Sequence, residues 1–162
     1  MDLHLNTKLI KNPHNVYMTS NPKQSIFYTI EKTIKEYRKY AQHNIVKHIN
    51  DITLDQALVL TIIDTEPDIS QKEIANFLYK DYASLTRIIE LMVEKNYVTR
   101  QTNEADRRRF KLIITEKGKT ALKKIIPIIK TNRESAILGL SQEEVSQLKT
   151  FLNKIIINCT NN

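Results

Sequence analysis

The feature that most constrains this chain is a single change of period partway along it. From Ile26 to Met92 apolar residues recur at helical spacing, whereas Tyr97 to Gln101 and Arg108 to Ile114 are runs of Tyr, Val, Phe, Ile and Leu flanking the polar stretch from Thr102 to Asp106. Such paired runs predict a β-hairpin. After Ile114 the helical period resumes, and two glycines and four prolines leave most of the chain free to be helical. The fold class expected is mainly α with one small hairpin.

Within that frame the helices announce themselves locally. Ile26, Ile30, Ile34, Tyr37, Ala41, Ile45 and Ile49 form one stripe on a long first helix. The run from Leu54 to Ile63 is apolar on nearly every side, which suits a short buried second helix ending before Pro67. Ser70 followed by Glu73 is a capping box that starts a third, with Ile74, Phe77 and Leu78 expected inward. Asp81 is the expected N-cap of a fourth. That helix is expected to bury Leu85, Ile88, Ile89 and Met92, to present Ser84, Thr86, Arg87 and Glu90 outward, and to close on a left-handed Asn96. Thr115 caps a fifth helix that Gly139 is expected to terminate and Pro127 to kink or interrupt. Ser141 and Glu144 form a second capping box, starting a sixth helix with a stripe of Val145, Leu148, Phe151, Leu152, Ile155 and Ile156.

Two helices in tandem followed by a hairpin carrying arginines is the layout of a winged helix-turn-helix, whose second helix enters the DNA major groove. The fourth helix is then the recognition helix, and Ser84, Thr86 and Arg87 carry groups able to read base edges or grip phosphates. Taken alone, these are ordinary residues of a solvated helix face. The hairpin tip, Asp106-Arg107-Arg108-Arg109, shifts the balance. Three adjacent guanidiniums repel one another, and a narrow minor groove supplies the negative potential that would reward them, with Asp106 orienting one arginine by a charge-assisted bond.

Composition agrees with that partner. The net charge of +7 and pI near 9.4 favour polyanions, although lysines such as Lys123 and Lys124 are read as a solvated face. No apolar run approaches the roughly 18 residues that a bilayer span needs, and the N-terminus lacks the pattern of a secretory signal. The expectation is a cytoplasmic, nucleoid-associated bacterial protein. Cys159, the only cysteine, excludes an intrachain disulfide framework and a Cys-based zinc finger. His43 and His48 stand five apart, a poor spacing for sharing a metal, so neither metal nor cofactor is expected. With no nucleophile elbow, no glycine-rich phosphate loop and no His-carboxylate constellation, no enzyme activity is expected.

The segments Leu54-x-Gln56-Ala57, Ser70 to Ala75, Asp81 to Arg87, Asp106 to Arg109 and Leu112 to Gly118, in this order, resemble the MarR (multiple-antibiotic-resistance regulator) family of winged-helix transcription factors. The resemblance runs by element order from about residue 26 to 158 and is sharp only between Leu54 and Gly118. It implies a homodimer with interleaved N- and C-terminal helices bound to a pseudo-palindromic operator. By position it assigns Ser70, Gln71, Tyr82, Ser84, Thr86 and Arg87 to the DNA, together with the wing Asp106, Arg107, Arg108 and Arg109. It also implies a repressor relieved by a small, often phenolic, molecule, for which Tyr37, Arg38 and His43 are the candidate wall. Oxidation-sensing members use a cysteine near the N-terminus, and Cys159 stands at the other end. The chain departs from the family pattern in a polar N-terminal extension, in Asn96 where glycine is usual, and in Pro127.

The organisation expected is one domain over residues 1–162. It comprises an extension at 1–23, dimerisation helices at 24–50 and 116–158, and a DNA-binding core at 54–115. Two long amphipathic helices exceed what one small core can cover, so dimerisation is also a physical expectation. The competing reading is a winged-helix module that binds protein rather than an operator, since fold does not dictate function.

Overall fold

The computed structural model describes residues 21–102 and 110–161. The wing-tip residues Asp106, Arg107, Arg108 and Arg109 lie outside the described residues, as does most of the N-terminal extension. The chain divides into two compact units, one up to Lys39 and the other from Tyr40 onward.

In the first unit, Asn21 caps a 3-10 turn, Pro22–Gln24, by accepting the Lys23 N–H at 3.1 Å. Helix α1 (Ile26–Val46) starts here and continues into the second unit. Ile49, expected on its stripe, lies beyond its end.

The second unit holds α2 (Leu54–Thr65), α3 (Gln71–Phe77), α4 (Tyr82–Glu94), β1 (Val98–Thr102), β2 (Phe110–Ile114), α5 (Glu116–Ala136) and α6 (Gln142–Thr160). Every one of these helices begins on a side chain that satisfies an otherwise orphaned N–H: Thr53, Ser70, Asp81, Thr115 and Ser141. Thr53 forms a full capping box with Gln56, three residues on. The core is built from α2, nearly all of whose face is buried, against Ile74, Leu85, Ile89, Met92, Leu112, Leu122 and Ile125. The hairpin is antiparallel, with Val98 opposite Ile114 and Thr102 opposite Phe110. Val98 and Leu112 enter the core and fix its base.

Several expectations are corrected. Phe77 is 64% exposed rather than inward. The buried side of α3 is centred on Ile74 and Ala75, and Phe77 lies two residues past Ala75, about 200° round the helix. On α4 the buried line is Leu85, Ile89 and Met92, which leaves Ile88 and Thr86 half-buried and Arg87 exposed. Pro127 does not interrupt α5, which runs unbroken from Glu116 to Ala136. The carbonyl deprived of a donor is that of Lys123, an exposed residue where water can replace the missing bond. Helix α5 ends three residues before Gly139, which instead takes φ 91° in the turn to α6. Asn96 closes α4 with φ 59° as expected, and Tyr79, between α3 and α4, adopts a second left-handed conformation at φ 52°.

Candidate nucleic-acid interface

Helix α4 is aimed by its cap. Asp81 accepts the Ser84 N–H at 2.7 Å on one oxygen and the Ser84 hydroxyl at 2.6 Å on the other. Those bonds hold the Asp81 carboxyl below its usual range. The Thr86 hydroxyl donates to the Tyr82 carbonyl at 2.9 Å. Both hydroxyl protons are therefore spent within the helix, so Ser84 and Thr86 face outward chiefly as acceptors. Arg87 keeps its donors exposed, and no ion pair ties it down among the described residues.

Helix α3 is set in the same way. The Ser70 hydroxyl accepts the Glu73 N–H at 3.2 Å and donates to Glu73 Oε2 at 2.6 Å, while Glu73 accepts the Ser70 N–H at 2.9 Å. The turn between α3 and α4 is pinned to α2 by Lys80, 2.9 Å from Asp55. At the other side, Lys111 of β2 pairs with Asp68 just before α3, at 2.5 Å, and Arg100 of β1 sits over the Phe110 ring, 6.0 Å from its centroid.

These elements meet in one cleft of about 870 Å³, lined among others by Ser70, Gln71, Lys72, Tyr82, Phe110 and Lys111. The start of α3, the start of α4 and the strand that follows the arginine tip thus open onto the same space. Sequence reasoning placed Ser70, Gln71 and Tyr82 in the site, and the structure brings those three together. It missed two cations on the cleft, the exposed Lys72 and the half-buried Lys111. Lys72 was legible as the cation inside the capping box, whereas Lys111 carries no local signal. Tyr37 and Arg38 are half-buried and His43 is exposed on α1; none of them lines this cleft. No cluster of His, Cys, Asp or Glu suited to a metal occurs among the described residues.

Two helices in tandem, a short turn and an antiparallel hairpin opening onto a shared cleft define a winged helix-turn-helix protein. Residues 52–110 match the model of the MarR family. Among curated relatives it is similar to the HTH-type transcriptional regulator MgrA of Staphylococcus aureus. The two are 24% identical over 136 residues, 84% of this chain and 90% of MgrA. Solved structures share the fold. The chain is similar to Bordetella bronchiseptica BpsR, whose DNA binding is regulated by 6-hydroxynicotinic acid, with TM-score 0.75, 18% identity, and coverage of 85% of this chain and 96% of that one. It is similar to S. aureus MepR in complex with DNA, with TM-score 0.74, 19% identity, and coverage of 86% and 100%. It also resembles a mutant E. coli MarR complexed with operator DNA, with TM-score 0.72, 23% identity, and coverage of 80% and 91%.

No described helix is long and apolar enough to cross a membrane.

Proposed function

We propose that this chain is a bacterial transcriptional regulator that binds duplex DNA as a homodimer, working in the cytoplasm and carrying no enzymatic activity. The observation that carries the reading is the shared cleft: α3, α4 and β2 present Gln71, Lys72, Tyr82 and Lys111 on one side of the molecule. Helix α4 enters the major groove, where Arg87 reads a base edge while Ser84 and Thr86 accept from base amino groups. The backbone between the grooves passes Ser70, Gln71, Lys72 and Lys111. Of the tip residues Asp106, Arg107, Arg108 and Arg109, it is Arg108 that this reading sends into the neighbouring minor groove, with Asp106 as its organiser.

The likeness to MarR in complex with operator DNA and to MepR in complex with DNA supports the partner. Small-molecule relief of repression, with Tyr37, Arg38 and His43 as candidate contacts, is supported by the likeness to BpsR. The DNA-binding core is residues 54–115, and dimerisation falls to 24–50 and 116–158. In support, α6 has no buried residue, and its stripe leaves Leu148, Phe151 and Ile156 about half exposed for a second copy to cover.

The test is selection from random duplex DNA followed by a salt titration of the selected site. A pseudo-palindrome with half-sites about 34–36 Å apart is expected. So is a loss of affinity of about 10³-fold or more between 50 and 200 mM salt, if six or more phosphates are contacted. A winged-helix module that binds protein instead would select no palindrome and show no such slope.

A further inference from the structure

The DNA-facing cleft is lined by as many carboxylates as ammonium groups among the described residues, Asp68 and Glu73 against Lys72 and Lys111. A surface shaped only to attract phosphate would carry neither acid. Glu73 is accounted for by its capping bonds, accepting the Ser70 N–H at 2.9 Å and the Ser70 hydroxyl at 2.6 Å. Asp68 caps no helix. Its side chain is 89% exposed, and its Oδ1 meets the Nζ of Lys111 at 2.5 Å, across 43 positions of sequence. The backbone leaves this carboxylate little room to retreat. Asp68 is the third residue of a turn from Glu66 to Ile69, closed by the Ile69 N–H on the Glu66 carbonyl at 3.1 Å. Pro67 occupies the second position, where its ring fixes the φ that such a turn requires.

We infer that Asp68 is an autoinhibitory acid: it holds Lys111 in the free protein and opposes the DNA phosphate that takes Lys111 over. The inference deepens the proposed function and rests on it. A phosphate passing between the start of α3 and β2 binds Lys111 only by drawing it off Asp68, and the carboxylate, fixed by its turn, then stays beside the phosphate as a like charge. Exposed ion pairs contribute little to folding, so the effect of this one falls on binding. Two unit charges about 5 Å apart in water repel enough to change an equilibrium about fourfold, and the broken ion pair adds to that. The chain therefore grips any DNA backbone less tightly than its cations allow. A larger share of operator affinity is left to the base contacts of α4.

The experiment is fluorescence anisotropy with the full chain at fixed ionic strength, on the selected operator and on an unrelated duplex of the same length. Asp68→Asn removes the charge, keeps the size of the side chain and suits the turn. It should tighten binding to both duplexes by the same factor, about fourfold to tenfold. In a Lys111→Gln background the gain from Asp68→Asn should fall to less than half of that, because no ion pair remains to be broken. Glu66→Gln, which removes an exposed acid from the same turn but outside the cleft, should change affinity less than about twofold. Circular dichroism melts confirm folding, and Asp68→Ser, which the turn also accepts, repeats the test. Unchanged or weaker binding by Asp68→Asn overturns the inference, and weakening confined to the operator would make Asp68 a reader of bases instead. An undiminished gain beside Lys111→Gln overturns the handover of Lys111, and an equal gain from Glu66→Gln reduces the effect to net charge and overturns it too. Binding to neither duplex by the unaltered chain sinks the proposed function itself, whereas binding that ignores Asp68→Asn sinks this inference alone.

Discussion

The Tyr97 hydroxyl donates to Asp51 Oδ1 at 2.6 Å, joining residues 46 positions apart. Tyr97 precedes β1 and Asp51 precedes α2, so this bond ties the foot of the hairpin to the entrance of the buried helix. Lys117 closes the group from α5, reaching Asp51 Oδ2 and the Lys95 carbonyl. Burial, and then the neighbouring carboxylate, push the Tyr97 hydroxyl pKa upward, so it remains a donor at any working pH.

Tyr97→Phe should cost about 1 kcal/mol at neutral pH, less than the roughly 1.5–3 kcal/mol usual for a bond to a charged group, because water can still reach Asp51. The Tyr97 hydroxyl first, and Lys117 second, hold the Asp51 carboxyl below its ordinary 3.8. A depressed carboxylate stabilises the fold fully above its unfolded pKa, and that contribution disappears as pH falls through the folded value. The gap in urea midpoint between Tyr97→Phe and the unaltered chain should therefore be constant above about pH 5 and shrink below about pH 4. A gap that is independent of pH would contradict the account.

Gly118→Ala should destabilise by about 1–3 kcal/mol, the usual range for overpacking. A Cβ at Gly118 would be driven into the Tyr97 carbonyl oxygen and would stand 2.6 Å from Ile114 Cγ2. Both are parts of the hairpin base that cannot swing aside. Thermal unfolding of the variant is the check, and an unchanged melting temperature would mean that α5 is free to move off the hairpin.

Arg87→Ala and Lys111→Ala should separate two roles in DNA binding. Loss of Arg87 should cost about 1–3 kcal/mol on the selected operator and flatten preference at one base position. Loss of Lys111 should weaken binding to all sequences alike and lower the salt slope by about one. Anisotropy titrations on matched and singly substituted duplexes read both effects. A uniform loss for Arg87→Ala would move it from base reading to backbone gripping.

Phe151→Glu, on the exposed stripe of α6, should convert a dimer to a monomer at micromolar concentration while leaving the helical content intact. Light scattering with circular dichroism measures both. A variant that remains dimeric would remove α6 from the dimer interface.

Where helices begin was written in short-range signals. Ser70, Asp81, Thr115 and Ser141 each satisfy N–H groups two or three residues away, so the caps can be read without knowing the fold. The change of period marking the hairpin is equally local, and the two together give the element order and hence the class of protein. Whatever depends on segments far apart could not be read that way. Packing decided that Phe77 faces out, that Thr86 is half-buried, and that Gly118 admits no side chain.

Tertiary structure alone also brought Lys111 to Asp68, so that the hairpin strand and the start of α3 share one cleft. It gathered Asp51, Tyr97 and Lys117 as well, although no motif links their positions. A capping bond needs only a few neighbouring dihedral angles to be set. Contacts across more than forty residues exist only once the apolar faces of α2, α4 and α5 have fixed how the segments lie.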